Sequence, residues 1–223
     1  MKFLLDITDY KVQKKQAEYP NLVIGQLCTP LTRRENWGGV FAIDNGAFSG
    51  LNKQGFYRCL KKHEPHMEKC LFVAVPDIVG NHRRTDELYG LITQEEEMLP
   101  WTKKWSFVAQ DGIEDARIDW YAINYLFIGG TDRFKDSSAA YDVVKTAKAL
   151  DIPVHVGRVN TAKRFLKYAD LGADTCDGSG ACKYDWMLEE INIALGIKPE
   201  PTLFDECEEY EHTQNNNSRE MSA

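Results

Sequence analysis

Six short apolar runs in this chain close on polar residues or glycines: Asp44 and Asn45, Asp77, Gln110 and Asp111, Gly129 and Gly130, Gly157 and Arg158, and Asp177 and Gly178. Any single Asp or Asn in such a place can do no more than cap the helix that follows. A whole set recurring at the same point of successive runs points to a shared site. Carboxylates gathered there can act as nucleophiles or as general acids and bases, and two that face one site tend to split their pKa values and divide those roles. Paired glycines after an apolar run let a ligand approach the backbone and its N–H groups, most commonly a phosphate. In "YADLGADTCDGSG", residues 168–180, two carboxylates compete for such a role. On an extended strand 175 and 177 share one face and 174 and 176 the other, so Asp174 and Asp177 point to opposite sides, with Asp177 nearer the rim.

The elements that must carry these residues are legible as apolar runs. They are "KFLLDI" (2–7), "NLVIGQL" (21–27), "VFAIDN" (40–45), "LFVAVPD" (71–77), "SFVAQD" (106–111), "YLFIGG" (125–130), "PVHVGR" (153–158) and "ADTCDG" (173–178). Between most of them the period becomes helical. "SSAAYDVVKTAKALD" puts Ala140, Val143, Val144, Ala147 and Leu150 on one face, and "NTAKRFLKYADLG" opens on an Asn cap and closes on Gly172. The connection "CTPLTRRENWGG" is the exception and reads as a loop or short helix. Eight nearly continuous apolar strands alternating with helices predict an α/β protein, a compact (β/α)8 barrel. A doubly wound open sheet is the rival. At 223 residues the chain is long enough for one such barrel, expected over 1–198, although two small domains would also fit the length.

Residues 199–223 read as an acidic, disordered tail. The formal charge of −7 argues against a nucleic-acid partner until its distribution is considered. From Glu200 onward there are seven acidic residues and only Arg219, which leaves the body near −1. No stretch approaches a membrane span, and the apolar run of "MKFLLDITDYKVQKK" is too short before Asp6 for a signal peptide, so a cytoplasmic protein without membrane contact is expected. The six cysteines are irregularly spaced and read as free thiols. Cys59, His63, His66 and Cys70 offer four zinc-type ligands, but Pro65 breaks the helix that would align them, so no metal is expected there.

Five segments occur in the order found in a known superfamily: "IDNGAFSG", "VPDIVG", "FVAQDG", "LFIGGTD" and "VHVGRVNTAKRFLKYADLGADTCD". Over residues 40–180 the chain resembles the tRNA-guanine transglycosylases, and within them the short 7-deazaguanine DNA transglycosylases of phages and bacterial modification clusters. The three-cysteine, one-histidine zinc site of the tRNA enzymes is missing, because only Cys207 and His212 remain after Cys182.

The resemblance implies replacement of guanine in DNA by a free 7-deazaguanine base, without a cofactor or metal. Asp177 would be the nucleophile and Asp44 the general acid/base, with Asp174 structural. Asp77 would accept from the guanine N1–H and 2-amino group, Gln110 and the Gly129 and Gly130 amides would serve O6, Phe48 would stack on the ring, and Val156 and Gly157 would form the floor. Arg33, Arg34, Arg83, Arg84, Arg133 and Arg158 follow strand ends and are candidate phosphate contacts, and Arg158 is also counted among the substrate-binding residues. The competing readings are a transglycosylase acting on tRNA, a nucleic-acid-binding homologue with a lapsed site, and a barrel isomerase or lyase that takes a small phosphate ester.

Overall fold

The computed structural model describes residues 1–32, 35 and 38–196. The tail over 199–223, Cys207, Arg33 and Arg34 lie outside the described residues. Eight parallel strands close into a barrel in the order β1 to β8: β1 (Lys2–Leu5), β2 (Ile24–Cys28), β3 (Phe41–Ile43), β4 (Cys70–Ala74), β5 (Trp105–Ala109), β6 (Tyr125–Ile128), β7 (Val154–Val156) and β8 (Thr175–Asp177). Each overlaps one of the apolar runs. The barrel closes where Leu4 of β1 pairs with Asp177 of β8, so the open-sheet alternative is excluded.

The helices are α1 (Asp9–Glu18) after β1, α2 (Lys53–His63) after β3, α3 (His82–Ile92) after β4, α4 (Asp132–Lys135) and α5 (Ser138–Ala149) after β6, α6 (Ala162–Asp170) after β7, and α7 (Ser179–Lys183) and α8 (Asp185–Ala194) after β8. Between β5 and β6 only two 3-10 turns occur, Ile113–Asp115 and Trp120–Ala122. The side chains of Asn52, Asn81, Thr131, Ser137 and Thr161 accept the N–H three residues on and start α2, α3, α4, α5 and α6; each such cap is worth ~1 kcal/mol. Two local readings need correction. Thr161, not Asn160, caps α6, because Asn160 Oδ1 instead accepts from Gly180 N at 3.2 Å. Leu150 is 43% exposed, since α5 ends at Ala149 and the apolar stripe stops at Ala147.

Strand alternation sorts the core into two layers. Leu4, Leu27, Ala42, Phe72, Ala74, Val108, Tyr125 and Phe127 cluster inside the barrel, while Phe3, Leu5, Ile24, Phe107, Leu126, Ile128, Val154, Val156 and Cys176 pack outward with the helices. Each fully buried Leu or Phe contributes ~1.5–3 kcal/mol. The inner faces of β3, β5, β6, β7 and β8 run on to residues 44, 110, 129, 157 and 177 at their carboxyl ends. One periodicity therefore fills the core and builds the site. No helix among the described residues is long and apolar enough to cross a membrane.

Candidate active site

A narrow slot of about 60 Å³ opens at the carboxyl ends of the strands. Asp44, Asn45, Phe48, Asp77, Gln110, Gly129, Gly130, Lys135, Gly157, Arg158 and Asp177 line it. A wider cleft of about 400 Å³ adjoins it and shares Asp44, Phe48, Arg158 and Asp177. Thr29, Thr32, Ser49, Ser179 and Lys183 also line the cleft, with Asp6, which accepts from the Thr32 hydroxyl at 2.7 Å; the hydroxyls and the lysine can meet sugar and phosphate oxygens.

Asp44 leaves β3 in a tight turn. Its carboxylate accepts from Gly46 N at 2.9 Å and Asn45 Oδ1 accepts from Ala47 N at 2.6 Å, while Gly46 takes φ 74. Burial, then the nearby charge of Asp177, pushes the Asp44 carboxyl up to about 7. Burial also raises Asp77, to about 6, against the opposing hydrogen bond from Asn45. Asn45 Nδ2 donates to Asp77 Oδ1 at 2.8 Å, Gln110 Nε2 donates to Asp77 Oδ2, and Gln110 Oε1 accepts from Gly80 N at 2.8 Å. The two amides hold the Asp77 carboxylate facing the slot.

Asp177 is 9% exposed. Its Oδ1 accepts from Arg158 N at 3.0 Å and its Oδ2 lies 2.9 Å from His155 Nε2. Asp174 points the other way, where it accepts from Val154 N at 2.7 Å and Lys148 Nζ at 2.8 Å. Arg158 adopts φ 57, a left-handed conformation that costs a residue with a side chain ~1–2 kcal/mol. That backbone lets its guanidinium sit 4.1 Å from the centre of the Phe48 ring and donate to Gly130 O. Phe48 and Arg158 together roof the slot.

Two glycines are required by close approach. A Cβ on Gly129 would meet Gln110 Nε2 and Val108 Cγ1, both at 2.8 Å, and one on Gly157 would meet the Phe127 ring at 2.7 Å. Two expected roles change. Val156 is fully buried among the outward-facing residues, so the floor is built from Gly157 and not from Val156. The Gly129 N–H donates to Ala109 O at 3.0 Å in the sheet and is not available to a ligand. Among the described candidate arginines, Arg158 is the one that lines the slot, whereas Arg83 and Arg133 are exposed and Arg84 pairs with Glu87 on α3 at 3.0 Å.

Two side chains in this region escaped the sequence reading. His155 lies inside the barrel, fully buried; its position two residues before Gly157 was the available signal. Lys135 is also fully buried, with Nζ 3.2 Å from Gly130 O, and burial lowers its pKa to about 8. It places a cationic donor beneath the slot. Nothing in "TDRFKDS" distinguishes it from a surface lysine.

The cysteine–histidine cluster does not assemble. His63 Nδ1 lies 2.8 Å from Cys59 O, Cys70 Sγ donates to Phe72 O at 3.2 Å, and His66 is exposed in the 3-10 turn that Pro65 helps to start. Among the described residues no group of three or more His, Cys, Asp or Glu side chains is arranged to hold a metal ion.

The arrangement offers one carboxylate held by two donors, a second carboxyl that titrates near neutrality, and a third fixed as an acceptor under an aromatic and cationic roof. It suits nucleophilic substitution with proton transfer on a planar, donor-bearing ligand. A scan against protein-family models finds no match for this chain, and no curated protein matches it.

Proposed function

We propose that this barrel is a base-exchange transglycosylase that replaces guanine in DNA with a 7-deazaguanine base through a glycosyl-aspartate on Asp177. The observation that carries the reading is the convergence of Asp44, Asp77 and Asp177 on one slot at the carboxyl end of the barrel. A barrel isomerase or lyase would instead bind a small phosphate ester rather than a 7-deazaguanine, and that ligand discriminates the two readings.

In the proposed first half, an Asp177 oxygen attacks C1′ of a flipped-out nucleotide as the C1′–N9 bond breaks. The departing guanine takes the proton of Asp44, whose raised pKa keeps it protonated near neutrality. In the second half Asp44 accepts the N9 proton of the incoming base, N9 bonds to C1′, and Asp177 leaves as a carboxylate. Asp77 accepts from N1–H and the 2-amino group, donors that adenine does not present in that pattern. Gln110 Nε2 and Lys135 supply donors at the O6 side. The base takes the place of the Arg158 guanidinium on the Phe48 face, and the displaced Arg158 turns to the phosphates in the wider cleft. The reading assigns the protein to the cytoplasm, with its nucleic acid.

Incubation with radiolabelled guanine and either duplex DNA, single-stranded DNA or tRNA tests this. Incorporation into DNA supports it, incorporation into tRNA alone moves the substrate to tRNA, and none into any of the three removes the transglycosylase reading.

A further inference from the structure

His155 has no part in the scheme above, yet it touches the proposed nucleophile. Its ring lies between Phe72 and Phe127, with centroids 4.7 and 4.5 Å away. Nε2 is 2.9 Å from Asp177 Oδ2, Nδ1 is 2.9 Å from Thr175 Oγ1, and Thr175 Oγ1 is 3.2 Å from Tyr125 Oη. The directions of these bonds follow from chemistry. An ionised carboxylate can only accept, so Nε2 carries a hydrogen; in the neutral imidazole Nδ1 then accepts from the Thr175 hydroxyl, and the Thr175 oxygen accepts from Tyr125. For the neutral ring this chain favours the tautomer that donates to Asp177, supported from Thr175 and Tyr125 inside the barrel.

A histidine that only filled space would have no call on such a chain, since buried polar groups cost free energy and Leu4 and Phe72 fill the same interior without them. Both nitrogens instead engage β8, one on Thr175 and one on Asp177. We infer that His155 is a positioning residue that holds Asp177 Oδ2 and, by donating to it, assists release of Asp177 from the glycosyl ester in the second half of exchange. The inference rests on the transglycosylase reading.

The assistance is asymmetric. When Asp177 attacks C1′ its negative charge passes through the sugar to the departing guanine, which takes the Asp44 proton and so leaves the charge on Asp44; the resulting neutral ester at Asp177 accepts hydrogen bonds more weakly than a carboxylate. When N9 of the incoming base bonds to C1′, the C1′–O bond breaks and its electron pair returns to Asp177, while the N9 proton goes to Asp44. Charge then develops on oxygens already facing His155 Nε2–H and Arg158 N–H. Removing the His155 donor therefore slows breakdown of the ester more than its formation.

The test compares His155→Phe, which keeps an aromatic ring between Phe72 and Phe127, with His155→Gln, whose amide N–H reaches towards the place of Nε2. Adduct on a guanine-containing oligonucleotide is followed on denaturing gels, then chased with labelled guanine. His155→Phe is expected to slow the chase about 10- to 100-fold and to raise the steady-state fraction of adduct, with His155→Gln recovering most of the rate. A wild-type chase rate in His155→Phe, or equal loss in both variants, overturns the inference. No adduct on the wild-type enzyme overturns the transglycosylase reading with it. If His155→Phe does not fold, Thr175→Val carries the test: it leaves His155 in place, frees its tautomer, and is expected to slow the chase several-fold, with an unchanged chase counting against the role.

Discussion

Asp44→Asn should make the protein more stable above neutral pH while abolishing exchange. In the unfolded chain the Asp44 carboxyl loses its proton near 3.8, whereas in the folded barrel burial and the charge of Asp177 hold it until about 7. Between those values the folded state binds the extra proton. Its contribution to stability is thus complete below about pH 4 and is lost as pH rises through about 7. The displacement corresponds to about 4 kcal/mol of disfavoured ionisation. Solvent entering through the wider cleft trims that, leaving about 2 to 4 kcal/mol. Asparagine cannot ionise, yet its oxygen can still accept from Gly46 N. Urea unfolding of both proteins at about pH 4 and about pH 8 measures the effect. The stability of Asp44→Asn relative to wild type should grow by about 2 to 4 kcal/mol between the two. A difference that stays constant would show that Asp44 ionises freely in the slot, and would refute its assignment as an acid near neutrality.

Four further outcomes are expected. Single-turnover adduct formation in the wild type should fall as pH rises through about 7, because Asp44 must carry its proton when guanine leaves, and stopped-time gels across pH would show it. Asp177→Ala should abolish both exchange and adduct in peptide mapping, whereas Asp174→Ala should keep exchange and lose about 1–3 kcal/mol of stability, the cost of leaving Val154 N and Lys148 Nζ without their acceptor. Gly157→Ala should cost about 1–3 kcal/mol and narrow the slot, because its Cβ meets the Phe127 ring, and a urea midpoint shift beside a raised KM for guanine would report both. Affinity for DNA should fall steeply with added salt, and chelation should leave exchange unaffected, both readable in one filter-binding and incorporation series.

The strands were legible because a strand buried on both faces needs an almost unbroken apolar run, and that pattern survives without any knowledge of partners. The same alternation separated Asp177 from Asp174. Applied to β7 it would also have found His155 and excluded Val156, since 155 and 157 share the inner face. Motif matching drew Val156 into the site, and burial sent it outward. Lys135 and the conformation of Arg158 were less accessible. A buried lysine carries no local signature, and the left-handed backbone of Arg158 accompanies contacts with Asp177 and Gly130, both distant in sequence. The Gly129 amide was misjudged for a related reason: a glycine that admits a ligand and a glycine that admits its own sheet neighbours look the same in one dimension. The caps show a smaller version of this, because Asn160 and Thr161 are both good caps and only the approach of Gly180 decides between them.

The register that closes the barrel pairs Lys2 with Thr175 and Leu4 with Asp177, so the proposed nucleophile rides on the seam formed by the most sequence-distant pair of strands. Loop-closure entropy makes such a seam slow to form compared with pairing between neighbours in sequence. A chain with β2 to β7 already paired would show nearly the full circular dichroism of the native state and still have Asp177 out of place. During refolding, recovery of secondary structure should therefore precede recovery of adduct formation, and the lag between them would time the closing of the seam.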